Sequence, residues 1–111
     1  MIAAARELAV EVARANLEVD AIYLVGSAAA GTTTGESDLD LVAFVSGALR
    51  PASNRWWDMG ESPEHGFPTE CNKVPIHWCF YSNEYPRSSF EENAAFRGSP
   101  AVLLAERSVV D

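Results

Sequence analysis

Apolar positions along this chain change period from one segment to the next, and each period predicts an element. From Ile2 to Asn16 they recur at helical spacing. Ala5, Leu8, Val12 and Ala15 share a stripe, with Arg6, Glu7, Glu11 and Arg14 on the other faces. This predicts an amphipathic helix whose stripe is core. Ala21-Ile22-Tyr23-Leu24-Val25 and Leu39-Asp40-Leu41-Val42-Ala43-Phe44-Val45 are short runs rich in β-formers, and both predict buried strands. Lys73 to Tyr81 predicts a third. Its parity sets Lys73, Pro75, His77, Cys79 and Tyr81 on one face, opposite Val74, Ile76, Trp78 and Phe80.

The remaining segments are less regular. Pro51, Gly60, Pro63, Gly66 and Pro68 interrupt residues 46–72, so that span predicts a long loop and no long helix. Within it, Trp56 and Trp57 are expected in a short helical turn covering the open sheet face, with base stacking or partner docking as the alternative. Ser88 to Arg97 predicts a helix with Phe90, Ala94 and Phe96 inward, closed by Gly98, with Pro100 opening the next. Val109-Val110 is expected to add a short edge strand.

Chemistry enters between the first two strands. Gly26 suits a sharp turn, and Ser27-Ala28-Ala29-Ala30 reads as an N-cap followed by a helical turn, whose unpaired N–H groups suit a phosphate. Ser37-Asp38-Leu39-Asp40 opens the second strand, where Asp38 and Asp40 project to one side with Leu39 opposite. Carboxylates so close repel unless a cation lies between them. A hard divalent ion such as Mg²⁺ takes one or two such carboxylates and completes its shell with water and substrate phosphates. Gly-Ser or Asp-x-Asp alone is usually only a cap or a strand end. Their ordered combination, each half on its own buried strand, is what carries weight.

With these motifs, Gly26-Ser27-Ala28-Ala29-Ala30-Gly31 and Ser37-Asp38-Leu39-Asp40-Leu41, the chain resembles the DNA polymerase beta nucleotidyltransferase superfamily, especially its minimal single-domain prokaryotic members. The resemblance covers most of the chain. It implies an α/β (α+β) fold like the polymerase beta palm, a small mixed sheet with helices packed mainly on one face. It further implies that Gly26, Ser27 and Ser37 serve the nucleotide phosphates. Asp38 and Asp40 would bind Mg²⁺ or Mn²⁺, and an NTP, with ATP expected, would donate its nucleoside monophosphate to a hydroxyl.

The family also places a third carboxylate on the third strand, and here Lys73 to Tyr81 contains no acid. Counting back from the exit at Ser82-Asn83-Glu84 puts His77 in its place. A neutral imidazole can accept a proton or ligate a softer metal but brings Mg²⁺ no negative charge. A packed or hydrogen-bonded histidine at the pocket wall is the plainer reading. Glu70 precedes the strand without a fixed register, and His65 reads as a loop residue.

Composition narrows the function further. The 111 residues suit a single domain spanning 1–111, without room for a separate acceptor-binding module. The resemblance then implies a small helical partner protein, a homodimer, or a small acceptor. A net charge of −8 argues against a general nucleic-acid binder, and Arg50, Arg55 and Lys73 are the candidates for a local basic pocket. Cys71 and Cys79 show neither zinc nor redox spacing, and Cys79 reads as a small core residue. With no signal peptide or membrane-length apolar run, the expectation is a cytoplasmic protein with reduced thiols and no membrane contact. Two functions remain: a Mg²⁺-dependent nucleotidyltransferase with Asp38, Asp40 and His77 as its catalytic group, or a nucleotide-binding, antitoxin-like regulatory module without turnover.

Overall fold

A computed structural model describes residues 2–31, 38–47, 57–58 (backbone only) and 67–110. Helix α1 (Ile2–Ala15) leads into β1 (Val19–Val25), α2 (Gly26–Ala30) and β2 (Leu39–Val45). The short strands β3 (Trp57–Asp58) and β4 (Glu70–Cys71) precede β5 (Val74–Ser82), α3 (Arg87–Phe96), β6 (Val102–Glu106) and α4 (Arg107–Val110). Strand order across the sheet is β3-β5-β2-β1-β6, with β4 pairing to β5 off this path. The sheet is mixed: β2 and β5 run parallel, whereas β1 is antiparallel to both β2 and β6.

Strand parity sorts the sheet into two faces. Ile22, Leu24, Leu39, Leu41, Trp78 and Phe80 share a core with Ala5, Ala9 and Val12 of α1. Ala28 of α2 belongs to the same core, and Val110 of α4 packs against it. On the opposite face Tyr23, Val42 and Phe44 meet Phe90, the buried residue of α3. The expected α+β architecture, with helices mainly on one face, is therefore present. Alanines at positions 5, 9 and 13 of α1 let the helix backbone approach the sheet closely. The buried stripe differs in detail from the expected one, since Leu8 is half-buried and Ala15 is exposed.

Side chains from distant sequence lock these layers. Arg107 at the start of α4 donates to the carbonyls of Ala13 (2.6 Å), Asn16 (2.8 Å) and Val19 (2.7 Å). A cation thus bridges carbonyls from the end of α1 to the start of β1. Trp78, fully buried, donates its indole N–H to Pro68 O at 2.8 Å, and Phe67 packs edge-on against its ring.

Several expectations fail locally. Val109 and Val110 lie in α4, and β6 is the edge strand instead, because Arg107 anchors a helical turn there. Ser99, Pro100 and Ala101 are irregular backbone leading into β6, so no helix starts at Pro100. Phe96 is 92% exposed, because it lies off the α3 face that Phe90, Ala94 and Arg97 turn toward the sheet. Trp57 belongs to a strand paired with Phe80, not to a helical turn. Lys73 is in a turn: Asn72 and Lys73 both have positive φ (49° and 70°), as a two-residue type I′ hairpin between β4 and β5 requires. Cys79 is half-buried on the face of Tyr81, whereas Cys71 is the thiol in the core. Ser37, Arg50, Arg55, Trp56, His65 and the Trp57 side chain lie outside the described residues.

Candidate active site

The ends of β1, β2 and β5 bring the sequence motifs together on the face away from α1. Gly26 follows β1 directly with φ +74°, a left-handed conformation that favours glycine. Space demands glycine as well. A Cβ there would lie 2.5 Å from Oδ2 of Asp40, so the turn backbone and the carboxylate are in close approach. Val25 is paired with Asp40 across β1 and β2, which accounts for that proximity.

Ser27 is the second residue of α2 rather than its N-cap. Val25 occupies the flanking position, without a side-chain cap, and Gly31 (φ 76°) closes the helix by donating its N–H to Ser27 O. With only five residues, α2 carries little dipole, so any phosphate affinity rests on the amides of the Gly26-Ser27 turn.

Asp38, exposed, precedes β2, and Asp40 stands on β2 with 37% of its side chain exposed. Burial pushes the Asp40 carboxyl above its ordinary value. The neighbouring His77 draws it back, and the Asp38 charge pushes it up again. The expected repulsion between the acids is therefore felt at Asp40, but loss of water is the larger cause.

His77 is the direct partner of Asp40 in the parallel β2–β5 ladder, and its Nδ1 lies 3.5 Å from Asp40 Oδ1. His77 thus faces Asp40, on the side that strand parity sets for it. Glu70 on β4 is exposed and pairs with Pro75. Among the described residues no three histidines, cysteines or acids converge closely enough to hold a metal alone. Asp40 and His77 offer two donors around a glycine cradle, which suits an ion whose other ligands are substrate phosphates and water.

Composition and periodicity gave no hint of the space beside this pair. A cavity of about 360 Å³ begins at Val42 and Cys79, partners two residues further along β2 and β5 than Asp40 and His77. Gly26 borders it near the acids, Tyr81, Tyr85 and Phe90 supply aromatic surface, and Asn93 and Arg97 of α3 add polar groups. Ser99 Oγ closes one side by donating to Gly26 O at 3.3 Å. The polar tip of Tyr23, an aromatic in an otherwise apolar strand, was the one available signal for what holds α3 in place. Its hydroxyl donates to Glu91 and accepts from Arg87 Nε at 3.0 Å. Arg87 also pairs with Glu106 at 2.6 Å.

A parallel strand pair carrying an acid, a glycine turn at its side and an adjoining ring-sized cavity together form the candidate site. A family model described as a nucleotidyltransferase domain matches residues 5–96, and the chain belongs to that family. The match spans the Gly26 turn, both aspartates, His77 and the cavity-lining helix α3. Comparison with curated proteins finds no match. Among the described residues, no helix is long and apolar enough to cross a membrane.

Proposed function

We propose that this protein, as a single domain, transfers a nucleoside monophosphate from an NTP, with ATP the expected donor, to an acceptor hydroxyl. The observation that supports this reading is the close approach of the Gly26 turn to Asp40, where a Cβ on Gly26 would lie 2.5 Å from Asp40 Oδ2. The amides of Gly26 and Ser27 hold the phosphate tail, with Ser37 supporting them. Asp38 and Asp40 hold the divalent ion, and His77 is the third member of the site. The nucleoside extends into the cavity, its base against Tyr81 and Tyr85 and its polar edge toward Asn93 and Arg97.

A divalent ion, when bound, polarises the α-phosphate and offsets the charge that develops on pyrophosphate. The acceptor oxygen forms its bond to the α-phosphorus as the α–β bridging bond breaks, and the hydroxyl proton leaves to solvent. Asp40 and the Gly26 turn keep the α-phosphate on the open face of the sheet, where an acceptor can reach it in line.

The test is transfer of α-labelled ATP to a panel of hydroxyl acceptors, with Mg²⁺ or Mn²⁺ supplied. Label transfer that is lost in Asp38→Asn and Asp40→Asn supports the reading. Nucleotide and metal binding without transfer to any acceptor would favour the regulatory-module reading, which His77 in place of an acid motivates. A helical partner or a second copy of the chain would then be its expected associate, acting in the cytoplasm.

A further inference from the structure

We infer that His77 makes this site selective for a transition-metal dication, Mn²⁺, Co²⁺ or Zn²⁺, over Mg²⁺, with Nδ1 of His77 and a carboxylate oxygen of Asp40 as neighbouring donors to one ion. The inference rests on the proposed role of Asp40 and goes beyond it.

Geometry points first. His77 Nδ1 and Asp40 Oδ1 face each other at 3.5 Å and interact directly, so a cation entering here would replace the contact between them. Two N/O donors, each about 2.1 Å from a common ion, lie about 3.4 Å apart at a tetrahedral angle and about 3.0 Å apart at a right angle. The observed spacing lets both groups reach one ion with only a small adjustment. Strand pairing enforces it, because Asp40 and His77 are direct partners in the β2–β5 ladder and share a face. The Gly26 cradle limits how far Asp40 can swing away.

Ligand chemistry points the same way. Mg²⁺ prefers oxygen donors and sheds water reluctantly, so an imidazole in place of a carboxylate removes both a charge and a preferred atom. Imidazole suits the later first-row ions, whose affinity for mixed N/O sites rises from Mn²⁺ toward Cu²⁺. A ligating Nδ1 leaves Nε2 carrying the proton, so His77 donates to a phosphate or acceptor oxygen and does not act as a base.

The test titrates the full chain with Co²⁺ in the presence of a non-hydrolysable ATP analogue and then competes with Mg²⁺. The visible Co²⁺ absorption and the imidazole proton resonances are followed together. The chain has two histidines, so a His77→Ala variant assigns the rings. The expected result is that Co²⁺ moves the His77 ring signals, and that Mg²⁺ displaces it only in large excess. His77→Asp should weaken Co²⁺ and strengthen Mg²⁺, each by about tenfold. With 45% of its side chain exposed, residue 77 tolerates both changes without loss of fold, which circular dichroism checks. Equal competition by Mg²⁺, or Co²⁺ binding without movement of the His77 signals, overturns the inference while the Asp40 site stands. Co²⁺ binding unaffected by Asp40→Asn, or absent from the folded protein, overturns both.

Discussion

Asp40 on β2 and His77 on β5 face each other directly across a parallel strand pair, Oδ1 and Nδ1 3.5 Å apart. The Gly26 turn closes in on the other carboxylate oxygen. Each of these neighbours constrains what a substitution will do.

Gly26→Ala and Gly31→Ala form a matched pair. Both positions have φ near +75° (74° and 76°), so each change costs about 1–2 kcal/mol of stability through the left-handed backbone. At Gly31 nothing lies within 4 Å of the added methyl, whereas at Gly26 it meets Asp40. Equilibrium unfolding should show a loss for Gly26→Ala at least as large as that for Gly31→Ala. Nucleotide and metal binding should fail only in Gly26→Ala.

Asp40 should make the metal-free protein less stable as pH rises. Its carboxyl titrates above the ordinary value of 3.8 in the folded state, so the folded protein binds the proton more tightly than the unfolded chain does. The contribution of Asp40 to stability is fully present below about that pH and is lost as pH rises through the folded-state value. Asp40→Asn removes this penalty. With chelator at pH 7 it should raise Tm by about 2–4 °C, a modest gain because solvent screens an exposed carboxylate. The difference should vanish near pH 3.5–4, followed by thermal melts. Adding a divalent ion should stabilise the wild type and leave the variant unchanged.

Tyr23→Phe keeps the ring packing against Phe44 and Phe90 but removes the hydroxyl between Glu91 and Arg87. Leaving those charged groups short of a partner should cost about 1–3 kcal/mol, read as a lower urea midpoint at unchanged slope. Arg87 keeps its pairing to Glu106, so the fold should survive.

Much of this arrangement was legible because strands have a period of two. The apolar runs at 21–25 and 39–45 located β1 and β2, and parity with the exit at Ser82 located His77 opposite Asp40. What escaped was decided by contacts distant in sequence. Val109-Val110 has the composition of a strand, yet Arg107, bonded to carbonyls 88 to 94 residues earlier, holds that segment as a helix. The cavity was hidden for the same reason, since it forms between β5 and a helix held by Tyr23.

Ala94, half-buried on the cavity side of α3, offers a way to fill that space without touching the acids. Ala94→Trp should weaken ATP binding by about tenfold or more, the equivalent of losing one base-stacking contact, while Co²⁺ binding alone is unchanged. Calorimetry with each ligand separately distinguishes the two effects.

The most direct measurement is the anomalous-difference map of a crystal grown with Mn²⁺ and a non-hydrolysable ATP analogue. A Mn²⁺ peak shared by Asp40 and His77 is expected, with phosphates against the Gly26-Ser27 turn and the base in the cavity beside Tyr81. A nucleotide bound elsewhere, or Mn²⁺ seated away from Asp40, would contradict it.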